Sequence, residues 1–347
     1  MKVLNDLDPK SKRILIRCDF NVPLGDREEI LDDFRIQRTL PTINYLLAKK
    51  ARIILMSHLD DPDGKVIEGL RLIPVQNRLE ELLNIKVVKS QDCVGKETEE
   101  VVSRMGDGEI LLLENLRFHD EEEKGNLDFA REISNLGEIY INDAFGACHR
   151  AHASIVGIPK FLPHGAGLLL EKEVKSLRRL LEKAEKPMVA IIGGKKVETK
   201  TEVIDRISDI ADIVLIGGLI QKELKEENIQ LKNPQKIIGP VDELGGGLDI
   251  GPKTAALFRG KILTAKTIFW NGAVGKIEEE EFSKGTEEIA KAIIESKAFS
   301  VAGGGETVEF IRKFNLLDKF AHVSTGGGAM LSFLSGEKLP GISALEE

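Results

Sequence analysis

Hydrophobic residues in this chain are concentrated in short continuous runs rich in Ile, Leu and Val, and amphipathic stretches separate these runs. Such runs are typical of parallel strands that are buried on both faces of a sheet. The pattern therefore predicts an α/β fold with two doubly wound parallel sheets. The predicted strands are residues 13–18, 51–57, 85–90, 109–115 and 138–144 in the front half and residues 187–194, 211–218, 235–240, 266–272, 299–305 and 322–328 in the back half.

A long amphipathic stretch, residues 167–186, separates the two sets of predicted strands. Its apolar positions recur at helical spacing, so it is predicted to be one helix that connects two domains. A chain of 347 residues also exceeds the size at which a single hydrophobic core usually stops growing. We expect a front domain over residues 1–168, an interdomain helix over residues 169–186 and a back domain over residues 187–332, with a hinge between them.

Two glycine triplets, residues 303–305 and 326–328, follow the last two predicted strands. Each leads into a helical pattern, over residues 306–314 and 328–334. Glycine is unfavourable in regular elements, so a repeated triplet needs a reason. Backbone N–H groups at a helix N-terminus bind anions, and glycine lets a phosphate approach closely. For either triplet alone, a turn that needs unusual backbone angles is the alternative interpretation.

Ligands of open α/β sheets bind beyond the carboxyl ends of the strands, so polar residues at those ends are the first candidates. An arginine fork binds two carboxylate or phosphate oxygens at once, which favours a small, multiply charged anion. Polar turns and solvated arginines are the alternatives. The front-half candidates are Asp19, Asn21, Arg35, His58, Arg117 and Arg150.

The back half has mostly glycine and lysine at the corresponding ends. Gly193 and Gly194 lead to Lys196 and Lys200, which would share one face of a helix and suit a polyphosphate, unless they are simply a solvated helix start. Glu278 is placed to reach a ribose. No P-loop pattern and no strand-linked GxGxxG occurs, so a dinucleotide dehydrogenase is not indicated. The two halves are predicted to hold different ligands.

Composition narrows the class of protein further. The net charge of −8 argues against a nucleic-acid binder that relies on bulk positive charge. Three cysteines without CxxC spacing fit reduced thiols, and His149 and His152 lack the partners of a zinc site. No secretion signal and no apolar run long enough to cross a bilayer occurs, so we expect a cytoplasmic protein without membrane contacts.

The order of these motifs resembles the phosphoglycerate kinase family along nearly the whole chain. RCDFNVP, SHL, LLENLRF and NDAFGACHRAH match the family's acidic-substrate domain, and GGKKVETK, ADIVLIGG, LDIGPKT, WNGAVGKIE, GGGET and HVSTGGGA match its nucleotide domain. The resemblance implies the glycolytic transfer of a phosphoryl group from 1,3-bisphosphoglycerate to ADP, reversibly giving 3-phosphoglycerate and ATP, with Mg²⁺. It also implies a monomer that closes about its hinge, with a tail, residues 333–347, returning to the front domain.

The resemblance assigns residues by motif position. The glycerate ligand would contact Asp19, Phe20, Asn21, Arg35, His58, Arg117 and Arg150. The nucleotide would contact Gly194, Lys196, Lys200, Gly217, Gly251, Asn271, Glu278, Gly304, Gly305, Glu306 and Thr307, with Glu306 as the Mg²⁺ ligand. The transferring phosphoryl group would be neutralised by Arg35, Lys196, Lys200, Gly327 and Gly328.

The chain departs from the family pattern in places. Asp60 and Asp61 stand where Gly and Arg are expected, Ala273 replaces a Pro, and Glu306 replaces an Asp. We expect the carboxylates at 60 and 61 to repel the glycerate phosphate and weaken its binding. The alternative functions are a related kinase for another small carboxylate or acyl phosphate, and a non-catalytic nucleotide-binding homologue.

Overall fold

In a computed structural model of the chain, residues 1–194 and 198–347 are described. They form two compact units. Unit 1 comprises Met1–Lys172 together with Lys338–Glu347, and unit 2 comprises Glu173–Glu337. Each unit contains its own six-stranded sheet. The last residues of the chain therefore belong to the same unit as the first.

Unit 1 is an α/β unit whose sheet is parallel throughout. Its strands are β1 (Arg13–Arg17), β2 (Arg52–Met56), β3 (Val87–Lys89), β4 (Ile110–Leu112), β5 (Ile139–Asn142) and β6 (His164–Ala166), and its helices are α1 (Phe34–Ala48), α2 (Ile73–Leu83), α3 (Lys96–Ser103), α4 (Asp120–Glu123), α5 (Leu127–Ser134) and α13 (Pro340–Ser343). The strand order is β3-β4-β2-β1-β5-β6. β1 is central, because Ile14 pairs with Ile53 on one side and with Ile139 on the other. All three side chains are buried, as expected for a parallel sheet flanked by helices.

Helix α6 (Leu168–Glu182) carries the chain from unit 1 into unit 2. The strands of unit 2 are β7 (Met188–Ile192), β8 (Ile213–Ile216), β9 (Ile237–Ile238), β10 (Glu243–Leu244), β11 (Asp249–Ile250), β12 (Thr267–Asn271), β13 (Phe299–Gly303) and β14 (His322–Val323), and its helices are α7 (Glu198–Ile210), α8 (Gly218–Glu226), α9 (Pro252–Ile262), α10 (Lys284–Ser296), α11 (Gly305–Lys313) and α12 (Gly327–Ser335). The order of its parallel sheet is β14-β13-β12-β7-β8-β9, and β10 and β11 form a separate antiparallel pair.

The predicted fold class is confirmed, since both units are built on parallel six-stranded sheets with flanking helices. Every predicted strand contains an observed one, and the predicted connecting helix corresponds to α6. The hydrophobic pattern missed β6 and the pair β10–β11, because these strands are only three and two residues long and carry no apolar run. Within the described ranges, none of the helices has the length and apolar character that spanning a bilayer requires.

Candidate functional site

One candidate site lies where the strands of the unit 1 sheet end, and arginine dominates it. Asp19 and Asn21 follow β1, and Arg35 lies in the first turn of α1. Arg35 donates from Nη1 to Asp19 Oδ1 at 3.2 Å and to the backbone carbonyl oxygen of Asn21 at 2.8 Å. The Asn21 side chain in turn accepts from the backbone N–H of Asp60 at 2.9 Å. These contacts hold the Arg35 guanidinium at the edge of the sheet.

A buried ion network supports His58. Arg17, at the end of β1, donates from Nε to Ser154 Oγ at 2.8 Å, and its Nη2 lies 3.2 Å from His58 Nδ1. Ser154 donates to Glu122, whose carboxylate lies 3.9 Å from Arg17. Burial, followed by Arg17, lowers the pKa of His58 well below its usual value. A guanidinium only donates, so Nδ1 accepts and the neutral ring carries its proton on Nε2.

Arg117 is a third arginine of this site, and two carboxylates already contact it. It lies in the turn after β4, where the Asn115 side chain accepts from its backbone N–H at 3.1 Å. Arg117 Nη1 donates to the Asp61 carboxylate and, at 2.9 Å, to the backbone carbonyl oxygen of Asp60. Glu123 Oε1 lies 3.2 Å from Nε. Acidic residues therefore contact this guanidinium at two of its nitrogens.

The other residues assigned to this site differ in exposure. The Phe20 side chain is fully buried in the core, so it contributes scaffold rather than a contact surface. Arg150 is exposed and makes no side-chain ion pair within the described part of the chain. His152 is buried beside the arginines, and burial, followed by Arg117, lowers its pKa to about 3. The positive charge of the site at neutral pH therefore comes from its arginines.

The second candidate site is a row of glycines along the carboxyl edge of the unit 2 sheet. In sheet order, they are residues 326–328 after β14, residues 303–305 at the end of β13, Gly272 after β12, Gly193 and Gly194 after β7, and Gly217 and Gly218 after β8. A Cβ built on Gly327 would lie 3.4 Å from the Cα of Gly304, and one built on Gly304 would lie 2.8 Å from Asn271 Nδ2. The two triplets noted in the sequence therefore meet at one place.

The glycines of this row are of two kinds. Gly194 and Gly304 have φ values of +89° and +96°, which residues with a side chain rarely adopt. Gly305 and Gly328 have no such φ, and a Cβ on either would meet no described atom within 4 Å. The fold therefore does not itself require glycine at 305 or 328. Both lie at the start of helices, where a missing side chain leaves backbone N–H groups open to an anion.

Lys200 supplies a cation beside these glycines. Its Nζ donates to the carbonyl oxygen of Gly193, and a Cβ on Gly194 would lie 2.7 Å from Nζ and 3.2 Å from Glu306 Oε2. Burial lowers the pKa of Lys200 to about 8, although the Glu306 carboxylate acts in the opposite direction. Lys200 is thus charged but poorly solvated at neutral pH, which favours an anion beside it. Lys196, its predicted partner, lies outside the described residues.

An open cleft adjoins the glycine row. Four of its lining residues, Gly194, Gly217, Glu278 and Glu306, belong to the predicted nucleotide set. The other eight lining residues are not in that set, and Gly247, Leu248, Val274 and Lys276 are among them. Gly247 ends a third glycine triplet, residues 245–247, whose φ values of +57°, +68° and +99° make the turn between β10 and β11. The triplet was visible in the sequence, but it follows no apolar run.

Six described residues of the predicted nucleotide set do not line this cleft: Lys200, Gly251, Asn271, Gly304, Gly305 and Thr307. Asn271 is buried and donates from Nδ2 to the last carbonyl oxygen of β13 at 2.9 Å, and Thr307 Oγ1 accepts from the backbone N–H of Gly272 at 2.7 Å. These two residues brace the loops that carry the glycines. Gly251 is the N-cap of α9 and packs against the carboxylate of Asp242, which caps the same helix.

These features define a class of protein. One sheet edge presents arginine side chains that suit a small anion, and the other presents backbone N–H groups and a lysine that suit phosphates, with an adjoining cleft. Two such sites are typical of a phosphotransferase, whose catalysis depends on positioning and charge neutralisation rather than on a protein nucleophile.

Comparison with known proteins narrows this class to one family. The family model described as Phosphoglycerate kinase matches residues 4–233 and 221–337. The phosphoglycerate kinase of Pelotomaculum thermopropionicum is 42% identical over 388 residues, covering 99% of this chain and 98% of that protein. The one from Chlorobium phaeobacteroides is 43% identical over 394 residues, covering 100% and 99%. The chain belongs to the phosphoglycerate kinase family, and the resemblance predicted from its motifs is confirmed.

Solved structures agree with this result. The crystal structure of phosphoglycerate kinase from Pyrococcus horikoshii OT3 matches with a TM-score of 0.89 and 32% identity, covering 100% of this chain and 98% of that one. The structure of phosphoglycerate kinase from Coxiella burnetii matches with a TM-score of 0.84 and 33% identity, covering 99% and 98%. The sequence alignments with relatives run over more positions than this chain has residues, so the chain lacks internal segments that those relatives carry.

Proposed function

We propose that this protein catalyses reversible phosphoryl transfer from 1,3-bisphosphoglycerate to ADP, giving 3-phosphoglycerate and ATP. The observation that carries the proposal is the pair Gly305 and Gly328, at the starts of two helices that follow neighbouring strands. The fold would tolerate a side chain at either position, so the absence of one is explained by a ligand that approaches the backbone closely. Membership of the family supports the choice of substrates.

Unit 1 is proposed to bind the glycerate ligand. Arg35, Arg117 and Arg150 supply the positive charge that its phosphate and carboxylate require, and guanidinium forks match both groups in geometry. His58 adds a neutral donor, because its ring proton is on Nε2. Asp19 and Asn21 orient Arg35 through the two contacts described above.

Unit 2 is proposed to bind the nucleotide. Lys200 and the backbone N–H groups of the glycine row hold its phosphates, and Glu278 lies in the cleft where a ribose would be bound. Lys196 remains part of this proposal on its motif position alone. The Glu306 carboxylate is a hard oxygen donor, so it fits Mg²⁺, which favours one or two carboxylates together with substrate phosphates. When bound, Mg²⁺ would neutralise charge on those phosphates.

The chemical step needs no covalent intermediate with the protein. In the direction of ATP formation, an oxygen of the ADP β-phosphate attacks the acyl phosphorus, and the bond from phosphorus to the carboxyl oxygen breaks, leaving 3-phosphoglycerate. Arg35, Lys200 and the N–H groups at Gly327 and Gly328 are proposed to neutralise the transferring group. The two ligands are assigned to different units, so the domain closure predicted from the sequence is part of the proposal.

We further propose that the protein acts as a monomer in the cytoplasm. Cys18, Cys93 and Cys148 are buried and form no disulfide, which fits a reducing compartment. Burial raises the pKa of the Cys18 and Cys93 thiols well above the usual value, so neither is prone to oxidation.

A coupled assay tests the proposed function. Purified protein is given 3-phosphoglycerate and MgATP, and formation of the acyl phosphate is followed through a reductase that consumes it. A panel of other small carboxylates is run in parallel. Turnover with 3-phosphoglycerate well above that with any other acid supports the proposal, and faster turnover of another acid would replace its substrate. A protein that binds MgATP but turns over no acid would be a non-catalytic homologue.

A further inference from the structure

The contact between Asp61 and Arg117 lies within the proposed glycerate site, yet nothing in the reaction needs it. Asp61 is a surface residue whose side chain is 72% exposed, whereas the Arg117 side chain is only 10% exposed. A carboxylate that reaches from an exposed loop to an arginine of the site can take the place of a substrate oxygen on that arginine. Asp61 is therefore placed to compete with the substrate for Arg117.

We propose that Asp61 sets the affinity of this site for its acid: its carboxylate contacts Arg117 and must leave before an anionic substrate binds there. The proposal rests on the function proposed above, since it concerns the affinity of that site for its acid. The sequence predicts that Asp61 repels the substrate phosphate. Here the substrate instead displaces the Asp61 carboxylate from Arg117.

The geometry allows Asp61 to leave. Arg117 is fixed from its backbone side, because the Asn115 side chain accepts from the Arg117 N–H at 3.1 Å and Glu123 lies beside Nε. Asp61 contacts Nη1, a terminal nitrogen, and is itself mostly in solvent. Swinging Asp61 outward would therefore expose the Nη1 donor of Arg117, and the carbonyl oxygen of Asp60 can remain on the same nitrogen.

The expected size of the effect follows from the strength of such a pair. Exposed ion pairs are weak, so the competing contact should weaken substrate binding about threefold, which corresponds to about 0.7 kcal/mol. Asp61 would act on substrate binding in the ground state and in the transition state alike. Its removal should lower KM and leave kcat unchanged.

Asp60 provides a matched control. It is the neighbouring carboxylate on the same exposed loop, and no cation of the described residues lies within ion-pair distance of it. Its φ is +55°, a conformation that Asn tolerates better than most residues, so Asp60→Asn should fold normally. Asp60→Asn and Asp61→Asn remove the same charge from nearly the same place, and Asp61→Asn alone weakens the contact with Arg117.

The test measures 3-phosphoglycerate binding by calorimetry, without nucleotide, for the wild type, Asp61→Asn and Asp60→Asn, together with KM and kcat. We expect Asp61→Asn to bind about threefold more tightly with unchanged kcat, and Asp60→Asn to show a clearly smaller gain. Equal gains would overturn the proposal, because simple repulsion would then explain both. Weaker binding by Asp61→Asn would also overturn it and make Asp61 an orienting residue for Arg117. A wild type without turnover of 3-phosphoglycerate would instead refute the proposed function, so the two failures are distinguishable.

Discussion

The two candidate sites offer different groups to an anion: mainly side chains in unit 1 and mainly backbone N–H groups in unit 2. In unit 1 these groups are arginine side chains, and carboxylates already contact two of them: Asp19 contacts Arg35, and Asp61 contacts Arg117. In unit 2, glycines open backbone N–H groups, and Lys200 is buried with its pKa lowered to about 8. An anion that enters unit 1 must compete with acidic side chains, whereas one that enters unit 2 relieves a poorly solvated charge.

This contrast has consequences for how each site responds to change. Arginine does not titrate below a pH of about 12, so binding in unit 1 is set by the exchange of carboxylates for ligand. Lysine with a lowered pKa does titrate near neutrality, so binding in unit 2 depends on its protonation. Substitutions and pH should therefore separate the two sites.

The largest effect is expected in unit 1, from Arg35→Ala. Arg35 is held at the sheet edge by Asp19 and Asn21, so it can stabilise charge on the transferring group without reorganising. An arginine in this role contributes on the order of 10³ in rate. We expect kcat to fall by about that factor with a much smaller rise in KM.

The matched control is Arg38→Ala, one helical turn further along α1. Arg38 lies over the Phe34 ring, 5.7 Å from its centroid, and has no assigned role in the site. Steady-state kinetics of both variants should therefore differ sharply. A near-normal kcat for Arg35→Ala would remove Arg35 from the chemical step.

The next effect is expected in unit 2, from Lys200→Met. A charged hydrogen bond to a phosphate contributes about 1.5–3 kcal/mol, so MgATP should bind roughly 10- to 100-fold more weakly in calorimetry. The same variant no longer buries a charge, and its free energy of unfolding should rise by on the order of 1–2 kcal/mol, less whatever the contacts to Gly193 and Glu306 contribute.

Lys276→Met is the control for this prediction. Lys276 lines the same cleft but is paired with Glu279, and it lacks a buried ammonium group. It should change neither MgATP binding nor stability by much. If Lys200→Met weakens 3-phosphoglycerate binding as strongly as MgATP binding, the division of ligands between the two units is wrong.

A pH titration sharpens the same comparison. The folded-state pKa of Lys200 is about 8, below its ordinary value near 10.4, so the unfolded state holds the extra proton between these values. Stability should therefore rise as pH increases through that window. MgADP binding should fall above this pKa by at most about tenfold per pH unit and level off near the affinity of Lys200→Met, because the neutral amine no longer attracts phosphate.

The measurement is calorimetry of MgADP and of 3-phosphoglycerate from neutral pH upward, with wild type and Lys200→Met. The arginine site should show little change over this range, since arginine side chains stay charged and the lowered pKa of His58 keeps its ring neutral. In Lys200→Met the fall in MgADP affinity should disappear. Persistence of the same pH dependence in Lys200→Met would assign the titration to another group.

Much of this organisation was predictable from the sequence, and the reason is that it is local. Buried parallel strands give continuous apolar runs, and a glycine triplet after such a run marks a helix start suited to anions. Hydrogen bonds and ion pairs between side chains are different, because they depend on tertiary contacts. Arg17 and Ser154 are 137 positions apart, and Arg117 and Asp61 are 56 apart, so no spacing rule connects them. The one signal for the first pair was a charged residue within a buried strand, Arg17 in β1.

The smallest expected effect distinguishes glycines that the fold needs from glycines that only a ligand needs. Gly194→Ala places a side chain at a φ of +89° and directly against Lys200 and Glu306, so it should lower the free energy of unfolding by about 1–2 kcal/mol. Gly305→Ala and Gly328→Ala meet no described atom within 4 Å and lie at the starts of helices, so their stability should stay within about 0.5–1 kcal/mol of the wild type. Denaturant unfolding measures this difference directly.

For Gly305→Ala and Gly328→Ala we expect a loss of activity without a loss of stability. A methyl group at 305 or 328 sits where the backbone N–H groups are proposed to meet phosphate, so both variants should remain stable but bind MgATP or turn over substrate less well. Gly260→Ala is the control, since a Cβ there also meets no described atom, and Gly260 lies in α9, away from the glycine row. If all three stable variants kept wild-type activity, glycine at 305 and 328 would have no ligand to explain it, and the observation that carries the proposed function would be lost.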